Sequence, residues 1–378
     1  MYIPARRRGL VTMALMANRQ HSTTESPLRL LCLHGWRTNA ALMELQTRQL
    51  RAQFADGEAE FVHLNGPHES PSPAFPGAER LVDKPFYEWW DTVEEGGSSD
   101  AAYGFSSDAT RVTYRGLCDS LDFLRDYLRD DYAASGRPFD AIIGFSQGGI
   151  MATILTALLE RQRQQQRHQE QPEVPRGGWD APVDEARAVE AAVVDEGEVT
   201  GTNAERNDWL QEEDRAIVPD MGAAWKMVVL VSSMMPRDTR LTANTRAAQA
   251  SGAQGSGGVG SAREVQLMGL SMLATPSFHV FGEADVMAPK SRELAAWWGF
   301  DCFHNAAGRG GELSDNSSST SASSGDGLFE AALSTTTGRV GVVTHDAGHK
   351  FPPGNRKGEY RQIKNALLFH CRGQNGFN

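Results

Sequence analysis

A serine at the centre of Gly144-Phe-Ser146-Gln-Gly148 matches the G-x-S-x-G pattern of a nucleophile elbow. In such an elbow the serine stands clear of a sheet on a sharp strand-to-helix turn, where its hydroxyl can attack an acyl carbon. The flanking residues predict that turn. A short apolar run, typical of a buried strand, precedes the serine, and the apolar residues after it recur at helical spacing: Ile150, Met151, Ile154, Leu155, Leu158 and Leu159. In a chain with 38 glycines, the G-x-S-x-G pattern could also occur by chance. A chance occurrence would not be expected to have a strand-like run before it and a helical pattern after it.

A serine hydroxyl needs a general base, and the base needs an acid that orients it. In elbow hydrolases the acid and then the histidine follow the serine along the chain. The turn Gly282-Glu-Ala-Asp285 directly follows an apolar, strand-like run. Of its two carboxylates we favour Asp285 over Glu283, because Asp285 lies deeper in the turn. The alternative role for Asp285 is that of an ordinary turn or N-cap residue.

The histidine is expected after the last predicted strand, in Thr344-His-Asp-Ala-Gly-His349. We favour His349, which follows Gly348 in a loop that can reach across to the serine. His345 stands at the strand end, where a histidine is more often a packing residue. The two histidines could instead bind a metal, but the sequence offers no third ligand for such a site. The sequence therefore predicts a Ser146, Asp285 and His349 triad without metal.

Backbone N–H groups are expected to stabilise the oxyanion that forms when the serine attacks. One donor follows the nucleophile, at Gln147, where a helix begins. The other comes from the loop after the first strand, and we assign it to Trp36 in His34-Gly35-Trp36-Arg37. Because both donors are backbone groups, the side chains of Trp36 and Gln147 have no part in this prediction. The alternative for His34-Gly35 is a simple strand-ending turn.

Strand-like runs alternate with helical patterns along the whole chain, which predicts an α/β fold. The predicted strands are 28–35, 60–64, 226–233, 276–282 and 339–344. Helical periods cover 114–128, the stretch after the serine, 290–298 and 363–369. Such alternation favours a mostly parallel sheet with helices on both faces.

Three stretches of biased composition interrupt this pattern and are interpreted as insertions at about 161–224, 238–262 and 304–338. Residues 1–25 carry four arginines before their first acidic residue, Glu25, which fits a disordered tail or, as the alternative, an organelle transit peptide. Without the tail and the insertions roughly 230 residues remain, the size of one domain. We therefore predict a single domain over 26–378, with no separate cap domain.

Composition excludes several classes of protein. A formal net charge of −11 argues against nucleic acid as the main partner. The four cysteines are scattered without a CxxC pair, which argues against a zinc site or disulfide framework and indicates a reducing compartment. No apolar run is long enough to cross a membrane. We expect a cytoplasmic protein, with the nucleus as a further compartment, and the oligomeric state stays open.

Several segments together resemble the fungal "family of serine hydrolases" and its animal relatives, the ovarian-cancer-associated serine hydrolases. The segments are LCLHGWRTNA (31–40), FYEWW (86–90), YRGLCDSLDFL (114–124), FDAIIGFSQGGIMA (139–152), PSFHVFGEADVMAPKSRELA (276–295) and HDAGHKFP (345–352). They follow one another in order over almost the whole core. The resemblance carries the triad onto the same Ser146, Asp285 and His349 that the local patterns indicate.

The resemblance implies an α/β-hydrolase fold, esterase or thioesterase activity on a small-molecule acyl substrate, and no cofactor. Trp89 and Trp90 resemble the family's aromatic pair, which places them in or under the acyl pocket, with simple core packing as the alternative. The predicted function is hydrolysis of carboxylic esters of small or medium to long acyl groups. The alternatives are a thioesterase that releases acyl or polyketide chains and a ligand-binding protein without activity on the same scaffold.

Overall fold

The computed structural model describes residues 26–96, 111–170, 225–244, 265–300 and 339–373. Its strands are β1 (Leu28–Leu33), β2 (Ala59–Leu64), β3 (His68–Ser70), β4 (Phe86–Glu88), β5 (Asp91–Glu95), β6 (Arg111–Arg115), β7 (Ala141–Phe145), β8 (Met227–Val231), β9 (Thr242–Asn244), β10 (Val265–Leu267), β11 (Ser277–Gly282) and β12 (Val340–His345). Its α-helices are α1 (Ala40–Arg51), α2 (Leu117–Ser135), α3 (Gln147–Glu170), α4 (Ala288–Trp297) and α5 (Lys357–Arg372).

The central sheet has six strands in the order β12-β11-β8-β7-β1-β2, and each neighbouring pair is parallel. The strand that leads to the serine, β7, lies in the middle of this sheet between β1 and β8. Parallel strands share one carboxyl edge, so the turns after β1, β7, β11 and β12 all emerge on the same side. This arrangement places residues that are far apart in sequence at a single edge.

Both faces of the sheet are covered by helices, because side chains of a strand point alternately to opposite faces. In β1, Leu31 and Leu33 pack with apolar residues of α2, α3 and α4, while Leu30 and Cys32 pack with residues of α1 and α5. All four side chains are fully buried. The predicted fold class, a mostly parallel sheet with helices on both faces, is confirmed, and we identify it as an α/β-hydrolase fold.

Two sequence-based boundaries are wrong. The helix predicted from Tyr114 begins only at Leu117, since residues 111–115 form β6 and pair with β5. The insertion predicted from Asp238 also starts later. Asp238 is fully buried and accepts hydrogen bonds from the backbone N–H of Tyr114 (2.7 Å) and from the side chain of Arg240. Strand β9 begins four residues later, at Thr242.

The other predicted insertions fall largely outside the described residues. Of the first, 161–170 continue α3, as the polar helical extension expected there, and 171–224 are not described. The third insertion and the tail at 1–25 also lie outside the described residues. Within the ranges that are described, no helix has the length and apolar composition that crossing a membrane requires.

Candidate active site

Ser146 occupies the turn between β7 and α3 in a left-handed backbone conformation, with a φ of 52°. A non-glycine residue in this region carries strain, which surrounding contacts must hold in place. One such contact is the hydrogen bond from its backbone N–H to the carbonyl of Val231 on β8 (2.9 Å). The turn therefore has the strand–serine–helix geometry of a nucleophile elbow.

Gly148 lets the start of α3 lie against the end of β1. A Cβ built on it would lie 2.2 Å from the carbonyl oxygen of Leu33 and 2.5 Å from that of His34, both backbone atoms. These distances are far shorter than van der Waals contact allows. The glycine two residues after the serine is therefore required by close approach of two backbones.

We predict that Gly148→Ala lowers the free energy of unfolding by about 3 kcal/mol, because backbone must move to admit the methyl group. Urea denaturation followed by circular dichroism would measure the change. Gly358→Ala, in helix α5, is the matched control, since a Cβ there would meet no atom of the described residues within 4 Å. Its stability should equal or slightly exceed that of the wild type. Equal stability of the two variants would contradict the packing argument.

The structure brings the side chains of Ser146, His349 and Asp285 together, although 203 residues separate the serine from the histidine. His349 Nε2 lies 2.9 Å from Ser146 Oγ, and His349 Nδ1 lies 2.9 Å from Asp285 Oδ2. Both distances are ordinary hydrogen-bond lengths. With the proton on Nδ1 donated to the carboxylate, Nε2 is free to accept the serine proton.

The Asp285 side chain is completely buried, yet its pKa lies below the ordinary value of an aspartate. Burial alone would favour the neutral acid. The hydrogen bond and charge of His349 and the backbone N–H of Met287, 2.8 Å from Oδ1, outweigh it and lower the pKa of Asp285. The hydroxyl of Ser232 also contributes to the lowered pKa, although its position does not meet the geometric criteria for a hydrogen bond to the carboxylate. The carboxylate is thus ready to stabilise an imidazolium.

The loop that carries His349 lies directly over the end of β11. A Cβ on Gly282 would lie 1.8 Å from the carbonyl oxygen of Ala347, so only glycine admits the loop at this distance. The backbone N–H of Glu283 also donates to the carbonyl of His345 (2.6 Å). These contacts join the acid-bearing turn to the histidine-bearing loop at one sheet edge.

The candidates that we did not favour have other surroundings. His345 is buried at the end of β12, where its Nδ1 accepts from the backbone N–H of Ala347 (3.2 Å). Glu283 is exposed and accepts from the hydroxyl of Thr344 (3.1 Å). Across the described ranges, no group of three or more His, Cys, Asp or Glu residues could hold a metal ion.

The loop after β1 is held from several sides. Arg37 has a φ of 51°, its carbonyl accepts from the N–H of Ala74 (3.0 Å), and its guanidinium lies over the Trp36 ring at 4.3 Å. One residue later, the carbonyl of Thr38 accepts from the N–H of Tyr87 in β4 (2.6 Å). The backbone N–H of Trp36 therefore belongs to a loop that several hydrogen bonds hold in place. The backbone N–H of Gln147 belongs to the first residue of helix α3 and has no acceptor within that helix.

The family model described as "Serine hydrolase (FSH1)" matches residues 23–301, more than half of the chain. The chain belongs to the FSH1 serine hydrolase family. This confirms the resemblance found from the sequence motifs. The matched residues include Ser146 and Asp285 and end before His349.

Two curated relatives of this FSH1 family member carry the name esterase. The chain is 33% identical to Esterase OVCA2 of Homo sapiens over 140 aligned residues. The alignment covers 35% of this chain and 56% of the relative. The chain is 28% identical over 131 residues to Esterase FPY3 of Fusarium mangiferae, covering 34% and 49%. The chain spans about half the length of these relatives. Among solved structures, Zea mays acyl-protein thioesterase 2 is similar with a TM-score of 0.40 and 12% identity, over 92% of this chain and 96% of that one.

Trp89 and Trp90 are enclosed in the core of the FSH1 family member, with 0% and 1% of their surface exposed. The ring of Trp90 stacks on Tyr114 with centroids 4.4 Å apart, and its indole N–H donates to the hydroxyl of Thr92 (3.2 Å). Trp89 donates its indole N–H to the carbonyl of His34 (2.9 Å). Burial this complete favours core packing, one of the two alternatives that the sequence left open for these tryptophans.

The side chain of Gln147 has a role that sequence reasoning missed. Its Oε1 accepts from the backbone N–H of Trp89 (3.0 Å), and its Nε2 donates to the backbone carbonyl of Trp90 (2.8 Å). The elbow is thereby bonded to the segment between β4 and β5. An alanine at 147 would lose both bonds, so it would disturb the site even though the expected oxyanion donor is a backbone group. No local pattern could indicate a contact between residues 58 positions apart.

His34 is a fully buried neutral histidine beside this site. Its Nε2 accepts from the backbone N–H of Gly66 (2.9 Å) and its Nδ1 lies 2.8 Å from the carbonyl of Gly35. Burial is the main cause that lowers its pKa to about 4, from an ordinary 6.5. The unfolded chain therefore binds a proton at this residue between pH 6.5 and 4, and the folded chain does not.

We predict that acid weakens the fold in that window, because protons favour the unfolded state there. His34 alone should lower the free energy of unfolding by about 2 kcal/mol between pH 7.5 and pH 5. The buried His279, whose pKa is lowered by burial to about 3, acts in the same direction. Urea unfolding at the two pH values would measure the loss. An unfolding free energy that stays constant or rises on acidification would contradict the prediction.

Proposed function

We propose that this chain hydrolyses carboxylic esters, with Ser146 as nucleophile, His349 as general base and Asp285 as the residue that orients the histidine. The observation that carries the proposal is the continuous hydrogen-bonded chain of two 2.9 Å contacts from the serine hydroxyl through the imidazole to the buried carboxylate. Membership of the FSH1 family and the esterase names of two relatives support it. The bound substrate class is a small-molecule acyl ester.

The reaction proceeds through a covalent acyl-enzyme. His349 Nε2 takes the hydroxyl proton while Ser146 Oγ forms a bond to the acyl carbon, and the carbonyl electron pair moves onto oxygen. The imidazolium then gives its proton to the leaving alcohol as the ester C–O bond breaks. Water repeats the sequence, its proton passing to the same nitrogen, and releases the carboxylic acid with the serine restored. Asp285 stays ionised and stabilises each imidazolium.

The oxyanion that forms at each addition is stabilised by the backbone N–H groups of Trp36 and Gln147. The support for this assignment is position: one group follows the nucleophile at the helix N-terminus, and the other lies in the bonded loop after β1. Preorganised donors of this kind lower the barrier because they need no rearrangement when charge develops.

A fluorophosphonate probe and an acyl series test the proposal on the full chain. We expect covalent labelling at Ser146, identified by mass spectrometry, and hydrolysis of p-nitrophenyl esters from acetyl to palmitoyl with a single preferred chain length. Acyl-CoA thioesters of the same lengths would be measured in parallel. Faster turnover of thioesters than of esters would favour the thioesterase alternative. A folded chain that is neither labelled nor active on any ester would favour the ligand-binding alternative.

A further inference from the structure

We infer that Trp89 is a positioning residue that fixes the spacing between the two oxyanion donors, the backbone N–H groups of Trp36 and Gln147. The inference rests on the proposed function, since it assigns a task within the same reaction. It extends that function to a residue outside the proposed triad.

Trp89 is bonded to both of the segments that carry the donors. Its indole N–H donates to the carbonyl of His34, two residues before Trp36 (2.9 Å). Its backbone N–H donates to the side chain of Gln147, the residue that carries the second donor (3.0 Å). Trp89 thus joins the loop after β1 to the elbow. In sequence it lies 55 positions from His34 and 58 positions from Gln147.

Trp89 is itself held firmly, so it can act as a rigid spacer. Its side chain is completely buried, and its ring packs against the His34 ring with centroids 5.2 Å apart. Its backbone carbonyl accepts a hydrogen bond from the hydroxyl of Ser120 at the start of α2. The amide of Gln147 also donates to the carbonyl of Trp90, which closes a second link to the same segment. Buried bonds of this kind face no competition from water and restrict movement strongly.

The spacing matters because both donors must reach the same oxygen. A donor contributes to catalysis only when it lies about 2.7 to 3.1 Å from the place where the oxyanion forms. A displacement of about 1 Å in such a site can lower the rate about a hundredfold. Loss of the bond to His34 would remove one of the contacts that hold the loop after β1 without removing any reacting group. The effect should therefore appear in the chemical step rather than in substrate binding.

The neighbouring Trp90 provides a matched comparison. It is equally buried and also donates its indole N–H to a protein oxygen, but that oxygen is the hydroxyl of Thr92. Thr92 belongs to β5, which is part of neither donor segment. Suppose that Trp89 only fills the core and pairs its own indole N–H. Replacing either tryptophan by phenylalanine would then change kcat by the same factor.

The experiment compares Trp89→Phe with Trp90→Phe in the full chain, using a p-nitrophenyl ester that the wild type hydrolyses. We expect Trp89→Phe to lower kcat by about 10- to 100-fold with KM changed less than about threefold. An alkyl trifluoromethyl ketone, whose tetrahedral adduct carries an oxyanion, should bind more weakly by a similar factor. Trp90→Phe should keep kcat within about threefold of wild type. Urea unfolding of both variants measures the cost in stability separately.

Equal kcat values and equal ketone affinities in the two variants would overturn the inference. If Trp89→Phe does not fold, Gln147→Met tests the other bond of Trp89, because it removes the side-chain acceptor and keeps the backbone donor. An unchanged kcat in that variant would also overturn the inference. A wild type that is neither labelled nor active would overturn the proposed function itself, which is a distinguishable result.

Discussion

Replacing Ser146 by alanine is expected to lower ester turnover by about a million-fold, the largest effect of any change considered for this chain. The substitution removes the atom that forms the acyl-enzyme and leaves the histidine and carboxylate without a nucleophile to activate. It deletes one oxygen, so the fold should be preserved. Steady-state hydrolysis of a p-nitrophenyl ester, combined with fluorophosphonate labelling, would measure the loss.

Ser233→Ala is the matched control for this measurement. Ser233 is also buried near the elbow, two residues after the neighbouring strand β8, and its hydroxyl has no hydrogen-bond partner among the described residues. The same chemical change there should leave turnover within about threefold of wild type. Ordinary ester hydrolysis by Ser146→Ala, in a preparation free of contaminating esterase, would refute the proposed nucleophile.

Replacing Asp285 by asparagine is expected to lower kcat by about ten-thousand-fold while the fold is retained. The N–H of Met287 donates to Oδ1 of Asp285 and so keeps an oxygen at that position in asparagine. The amide nitrogen then takes the place of Oδ2 and donates to His349 Nδ1. Because Nδ1 then accepts a hydrogen bond, the imidazole proton must sit on Nε2, the nitrogen that faces the serine. A protonated Nε2 cannot accept the serine proton. Rate measurements with the same ester would show the loss.

The rejected acid gives the control for this second prediction. Glu283→Gln changes a carboxylate to an amide two residues away, on an exposed side chain that bonds to Thr344. Its kcat should stay within about threefold of wild type. A large loss in Glu283→Gln together with a small loss in Asp285→Asn would exchange the roles of the two residues and contradict the proposed triad.

The sequence predicts those parts of the structure that depend on short-range patterns. The elbow is an example, because an apolar strand, a G-x-S-x-G turn and a helical period are adjacent in the chain. The turns of Asp285 and His349 could be predicted for the same reason: each follows a continuous apolar run, and parallel strands bring their carboxyl ends to one edge. Whether those residues act as proposed is a question for the kinetic tests above.

The remaining features depend on contacts that a single sequence does not reveal. Residues 111–115 continue smoothly into the helical period that follows, and only pairing with β5 makes them a strand. Asp238 begins a glycine- and alanine-rich stretch, yet its partner Tyr114 lies 124 positions away. The family resemblance placed Trp89 in or under the acyl pocket, with core packing as the alternative, whereas its hydrogen bonds to His34 and Gln147 join it to distant parts of the chain. In each case a distant partner outweighs the local pattern.

The order of the three triad residues along the chain has a consequence for biosynthesis. The histidine follows β12, an edge strand of the sheet that pairs with β11 alone among the described strands. A ribosome therefore adds the proposed nucleophile and the proposed acid long before it adds the proposed base. In the proposed mechanism, a nascent chain has no base for Ser146 until residue 349 has left the exit tunnel and β12 has docked. Translation products that end before residue 349 should consequently be inert towards esters.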